Sequence, residues 1–193
     1  TSFTRGFNII NTAYSNGESL SNGIDVLIKK KWNNYNSWVS YSFSNTDYTF
    51  KDLKNGSSFA GNFDVTHSFL WTHNLKAGNY SFSLGWNFRT GIPFTPSNGL
   101  DTNNRVVYGV INSQRLPNYH KLDFSTTYSF HFDKVKKWKG KFGLSLLNLY
   151  NKNNTLMRSY ESIYNNTSQN YELKKVDNVS LGFTPNLVFR VDF

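Results

Sequence analysis

The chain has no cysteine, a single methionine, four prolines and only 12 acidic residues against 21 lysines and arginines. Without cysteine there is no disulfide scaffold and no thiolate-held zinc or iron–sulfur centre. No apolar run approaches the roughly 20 residues that a membrane helix needs, and mean hydropathy is −0.54. One methionine and few acids argue against a helix-rich soluble enzyme. What the chain does have is aromatics: 17 Phe, 12 Tyr and 5 Trp, or 18% of its residues. A disordered segment lacks such residues. Its 193 residues suit one domain. It starts at Thr1 without a charged-then-apolar leader, so the expectation is a processed chain or part of a longer one.

The dominant periodicity is two, the period of a strand. Tyr80, Phe82, Leu84, Trp86 and Phe88 alternate with Ser81, Ser83, Gly85, Asn87 and Arg89. The same alternation sets Leu122, Phe124, Thr126, Tyr128, Phe130 and Phe132 against Asp123, Ser125, Thr127, Ser129 and His131. It recurs from Leu187 to Phe193, at Val39, Tyr41 and Phe43, and at Phe142, Leu144 and Leu146. Two less regular strands are predicted, one at Ile24, Val26 and Ile28, the other at Phe63, Val65, Phe69 and Trp71. That makes seven strands, with part of an eighth expected in residues 1–13.

The connections between them alternate in length. Those at residues 29–36, 76–79 and 133–137 are short, whereas 51–62, 92–118 and 152–177 are long and rich in Asn, Ser, Gly and Tyr. Short turns at one end and long loops at the other are the pattern of an outer-membrane barrel. One face of each strand is aromatic and aliphatic, as lipid requires; the other carries small hydroxyls and amides, which a wet lumen tolerates. The predicted class is therefore an all-β, antiparallel transmembrane barrel segment in the bacterial outer membrane. Trp32, Trp38 and Trp138 are expected in an aromatic girdle near the short turns, with Tyr48, Phe50, Phe88 and Tyr150 in the outer one.

The charge of +9 gathers at Lys29–Lys31 and at Lys134, Lys136, Lys137, Lys139 and Lys141. These read as turn residues beside lipid headgroups, and no nucleic-acid module accompanies them. The four histidines, His67, His73, His120 and His131, lack compact ligand spacing, so no metal site or cofactor is expected. No nucleophile elbow is present and carboxylates are scattered, so no enzyme activity is expected either. Ligand discrimination is expected in the long loops, where Arg105, Tyr108, Tyr160, Tyr164 and Tyr171 offer stacking surface to a sugar, peptide or chelate.

Four segments carry a family resemblance: Arg89-Thr90-Gly91-Ile92-Pro93-Phe94-Thr95-Pro96, Arg115-Leu116-Pro117-Asn118-Tyr119-His120-Lys121-Leu122-Asp123, Leu147-Asn148-Leu149-Tyr150-Asn151 and the closing stretch from Leu181 to Phe193. In this order they resemble the last third of TonB-dependent outer-membrane receptors, particularly those of the Bacteroidota, from about residue 23 to the end. The resemblance implies a barrel of about 22 strands with a plugged lumen. Residues 1–193 would be its C-terminal part, without the plug or the TonB-contacting segment. It further implies an assembly signal, read by the barrel-assembly machinery, in Gly182, Leu187, Phe189, Val191 and Phe193. The implied partners are lipid, the remainder of the barrel, TonB through the absent N-terminal part, and in some members a surface lipoprotein. An autonomous eight-stranded barrel with a structural or adhesive role is the alternative.

Overall fold

A computed structural model describes residues 16–132 and 138–193. Those residues are all-β apart from one 3-10 turn, Lys54–Gly56. In chain order the strands are β1 (Gly17–Trp32), β2 (Tyr35–Phe50), β3 (Phe59–Ala60), β4 (His67–Ala77), β5 (Tyr80–Arg89), β6 (Pro93–Phe94), β7 (Ser97–Leu100), β8 (Val106–Tyr108), β9 (Gln114–Arg115), β10 (Tyr119–His131), β11 (Lys139–Leu147), β12 (Thr155–Asn165), β13 (Asn170–Val179) and β14 (Thr184–Asp192). Seven of the long strands form one antiparallel meander, β1-β2-β4-β5-β10-β11-β14, with the two-residue β3 beside β2, while β12 and β13 pair as a separate hairpin. These seven long strands are the seven predicted. The eighth strand expected in residues 1–13 lies outside the described residues.

Register makes the faces continuous. Ile24, Val26 and Ile28 pair with Phe43, Tyr41 and Val39, which pair onward with His67, Phe69 and Trp71. Trp71 then faces Trp86, Trp86 faces Leu122, and Phe124 faces Leu146. Leu144 and Phe142 face Leu187 and Phe189. A one-residue slip anywhere would move an aromatic set to the opposite face. On the apolar face of the seven long strands the acids and lysines are confined to the ends: Glu18 and the Leu20 partner Asp47 near the loops, and Lys30 beside the turn. Lys30 is held 5.3 Å over the ring of Trp32. The opposite face is mainly Ser, Thr, Asn and Gly with most of the remaining charge, broken by a few apolar residues.

The buried apolar side chains among the described residues are Phe59, Pro93, Phe94 and Leu116, all in the connections at one end. Among the described residues no second layer covers either face of the sheet. Leu20, Ile24, Ile28, Leu187 and Phe189 are between 63% and 70% exposed, far from the condition of a soluble core. Among the described residues both edges, β1 and β14, have one neighbour each and no strand joins them.

Along the short-turn end the apolar face carries a row of rings. Trp32 meets Tyr35 at 5.5 Å, Tyr80 meets Tyr128 at 4.7 Å, Phe130 meets Phe132 at 4.9 Å and Trp138 meets Phe193 at 5.4 Å. Three predicted girdle positions need correction. Trp38 pairs with Lys29 and Thr72 on the polar face. Tyr48 and Phe50 share that face and pack against Phe59 at 6.2 and 6.1 Å. In all three cases strand parity overrides closeness to a strand end.

The turns are tighter than predicted. β1 and β2 run up to a two-residue turn, Asn33–Asn34, and β4 and β5 to Gly78–Asn79. Asn33 (φ 34°) and Gly78 (φ 59°) adopt the positive φ that such hairpins favour, which asparagine and glycine tolerate. Phe63 and Val65 precede β4, which starts at His67. The turn at 133–137 lies outside the described residues.

Candidate functional site: the loop end

Antiparallel order brings the three long connections, 51–66, 90–118 and 148–183, to the same end of the sheet. They are structured, which alternation alone did not predict. Within the second, β6 pairs with β9 and β7 with β8; the third is mostly the hairpin β12–β13.

The three internal segments that carry the family resemblance meet here. Pro93 pairs with Arg115 and Phe94 with Gln114, while Leu116 N–H donates to the Ile92 carbonyl at 3.0 Å. The chains approach so closely that a Cβ on Gly91 would lie 1.7 Å from the Leu116 carbonyl oxygen. Leu149 N–H donates to the Leu122 carbonyl at 2.7 Å, and Asn148 N–H to Asp123 Oδ1 at 2.8 Å.

Two buried asparagines secure the third connection. Asn148 (φ 53°) is 2% exposed. Its Nδ2 donates to the carbonyls of Lys152 and Leu181, at 2.9 and 3.1 Å, and its Oδ1 accepts from Lys152 N–H at 3.0 Å. One side chain thus ties the two ends of that connection together. Asn154, 1% exposed, exchanges a pair of 2.9 Å bonds with the backbone of His120. An asparagine side chain used in this way replaces the strand partner that β10 lacks at that point.

The first and second connections are joined by an ion pair. The Asp64 side chain is fully buried and pairs with Arg115, whose side chain is 37% exposed. Asp64 also accepts from Thr46 N–H at 2.8 Å, and Arg115 donates at 3.0 Å to the carbonyls of Asp64 and Gly91. Asn112 adds bonds to the Ala60 carbonyl at 2.8 Å and Asn62 Oδ1 at 2.7 Å. Arg115 stands within a segment that the sequence singled out. Asp64 carried no sequence signal, because its partner lies 51 residues away.

The predicted ligand residues fall into two groups. Tyr160, Tyr164 and Tyr171 share one face of the β12–β13 hairpin; Tyr164 and Tyr171 are cross-strand partners with ring centroids 5.2 Å apart. At the base of that face Arg158 pairs with Asp177 at 2.6 Å and lies 4.9 Å over the Phe94 ring. The hydrogen bond from Arg158 holds the Asp177 carboxyl below its usual range and raises the guanidinium above its own. Arg105 and Tyr108 belong to the neighbouring β7–β8 hairpin, which packs against β12 and β13. Arg105 is paired with Asp101 at 2.9 Å, and its backbone N–H, foremost, lowers the Asp101 carboxyl. The five residues are therefore on two adjacent hairpins, with Tyr108 58% and Tyr164 51% exposed.

Three histidines sit on the apolar face, each bonded through Nδ1 to a tyrosine hydroxyl: His67 with Tyr41 and His120 with Tyr150, both at 2.9 Å, and His73 with Tyr35. Among the described residues no group of three metal-ligating side chains converges. Of the terminal segment, Leu187, Phe189 and Val191 are on the apolar face, and Phe193 extends it. Gly182 precedes β14, against Asn151, whose Oδ1 accepts from Phe183 N–H at 2.8 Å.

Compared with family models, with characterised proteins and with solved structures, the chain matches none.

Proposed function

We propose that this chain is wall and ligand-loop structure of a bacterial outer-membrane β-barrel, and that the barrel belongs to a TonB-dependent receptor. The observation that carries the membrane reading is the uncovered apolar face. It crosses seven strands in continuous register, excludes acids and lysines from its middle, and is bordered by rings at the short-turn end. The Tyr80–Phe88 stretch gives the band a height. Eight steps of about 3.4 Å span about 27 Å of strand, or about 21 Å along the normal at a tilt near 40°. Outer-membrane barrels have an apolar band of about 25 Å.

The receptor reading rests on the resemblance and gains support from two structural features. The three internal segments of the resemblance converge on one platform at the loop end. Among the described residues the edges β1 and β14 each have an unpaired side, which hydrocarbon does not tolerate; further strands of a larger barrel would pair them. Substrate would then bind among the loop hairpins, and a TonB-driven rearrangement of the lumen-filling plug would admit it to the periplasm. No catalytic group is assigned.

The test is the intact mass of the protein that contains this sequence, taken from native outer membranes without proteolysis. A mass several times 22.3 kDa is expected. A mass near 22.3 kDa would overturn the receptor reading in favour of a small closed barrel. Recovery from the soluble fraction would overturn the membrane reading too.

A further inference from the structure

The polar face is not uniformly polar. At mid-depth it is made of small residues: Thr72 faces Gly85, Ser83 faces Ser125, and Ser125 faces Ser145. Toward the short-turn end of β1, β2 and β4 it changes character. Leu27 pairs with Ser40, which pairs onward with Leu70, and Trp38 lies one step below them between Lys29 and Thr72. Leu27, Trp38 and Leu70 line an open depression of about 550 Å³. Apart from Val188 on the opposite edge strand, they are the apolar residues in this half of the polar face. Leu27 remains 55% exposed.

Around this apolar island stand cations. Lys29 lines the depression, and Lys31 and Lys76 share its face on the turn side. None of the three takes part in the ion pairs found among the described residues. The one acid of β1 on this face, Asp25, stands a step beyond Leu27 toward the loops. An apolar centre with a tryptophan, ringed by polar and charged groups, is the anatomy of a protein interface. Leucine and tryptophan facing a water-filled lumen have no such explanation.

We infer that Leu27, Trp38 and Leu70, with Lys29, Lys31 and Lys76, form a docking site for an acidic protein segment that places an aliphatic or aromatic side chain in the depression. The inference rests on the membrane reading above, in which this face borders the lumen; there the segment belongs to the lumen-filling part of the same receptor. Complementary charge favours an acidic occupant, because three lysines balanced by one aspartate leave an excess of two positive charges at the patch.

The experiment uses the full protein in native outer membranes, with p-benzoylphenylalanine replacing Leu27 in one sample and Ile28, on the opposite face, in another. After irradiation the adducts are identified by mass spectrometry. Leu27 is expected to capture a protein segment rich in Asp and Glu, and Ile28 lipid alone. Capture at position 27 should fall several-fold when K29E and K76E are added together, and measurably with K76E alone, in protein that keeps its heat-modifiable folded form. A protein adduct at 28 with lipid at 27 would overturn the assignment of the faces and the docking site with it, whereas no lipid adduct at either position would overturn the membrane reading. Lipid at 28 with no protein adduct at 27, with a non-acidic one, or with capture indifferent to charge reversal, would overturn the docking site alone.

Discussion

Leu84 sits at the middle of the apolar row of β5, four residues from Tyr80 and four from Phe88, with His73 and Phe124 as cross-strand partners. At a tilt near 40° it lies about 10 Å from either boundary of the band, close to the bilayer midplane. Arginine on the lipid face at that depth costs about 2–4 kcal/mol. A cost of 3 kcal/mol lowers the folded-to-unfolded ratio by roughly a hundredfold. Ser125 is at nearly the same depth on the other face, where Asp123 is its same-face neighbour. Ser125→Arg should therefore change stability by about 0.5 kcal/mol or less, as surface substitutions generally do. The assay is denaturant titration of the protein in phospholipid vesicles, repeated in thinner bilayers. Thinning brings the midplane closer to water and should shrink the Leu84→Arg cost while leaving Ser125→Arg unchanged. Equal costs for the two variants would refute the assignment of faces. A Leu84→Arg cost indifferent to bilayer thickness would mean that something other than lipid covers that face.

Other expectations concern the loop end and the terminus. Asp64→Ala should leave Arg115 without its carboxylate at a cost of about 2–3 kcal/mol, less than the 3–5 typical of a fully buried pair because Arg115 reaches solvent; hydrogen exchange should quicken in 59–66 and 112–118 and stay unchanged in β4 and β5. Gly91→Ala drives a Cβ into the Leu116 carbonyl and should cost at least about 1–3 kcal/mol, read as faster proteolysis of 92–118. Asp177 is held below its unfolded value by Arg158. Its contribution is thus full above the ordinary carboxylate range and is lost as pH falls through the lowered value. Exchange of the β12–β13 hairpin should quicken in that acidic window, and Asp177→Asn should abolish the pH dependence. Phe193→Ala removes the terminal ring from Trp138 and should slow assembly, seen as less heat-modifiable protein in the outer membrane; unchanged levels would remove that role.

Much of the sheet was legible in the sequence because strand geometry is local. Side chains alternate with period two, so Phe82 and Ser83 had to face opposite ways whatever surrounded them. The seven strands of the meander, the pairing of short turns with one end, and the apolar set from Ile24 to Phe189 follow from that alternation, whereas the β12–β13 hairpin did not announce itself. Local parity is also why Trp38 and Tyr48 are on the polar face: closeness to a turn suggested girdle residues, and the register decides otherwise. The loop end was legible only as conspicuous segments. That Gly91 must be glycine because Leu116 crosses it, that Asp64 is the buried partner of Arg115, and that Asn154 completes β10 depend on contacts between residues tens of positions apart. Loop residues obey no period that would announce such contacts. The apolar island at Leu27, Trp38 and Leu70 was hidden for the same reason: Leu27 and Leu70 are single exceptions within their strands, Trp38 stands well apart from Tyr48 and Phe50 along its own, and only the register of β1, β2 and β4 sets the three side by side.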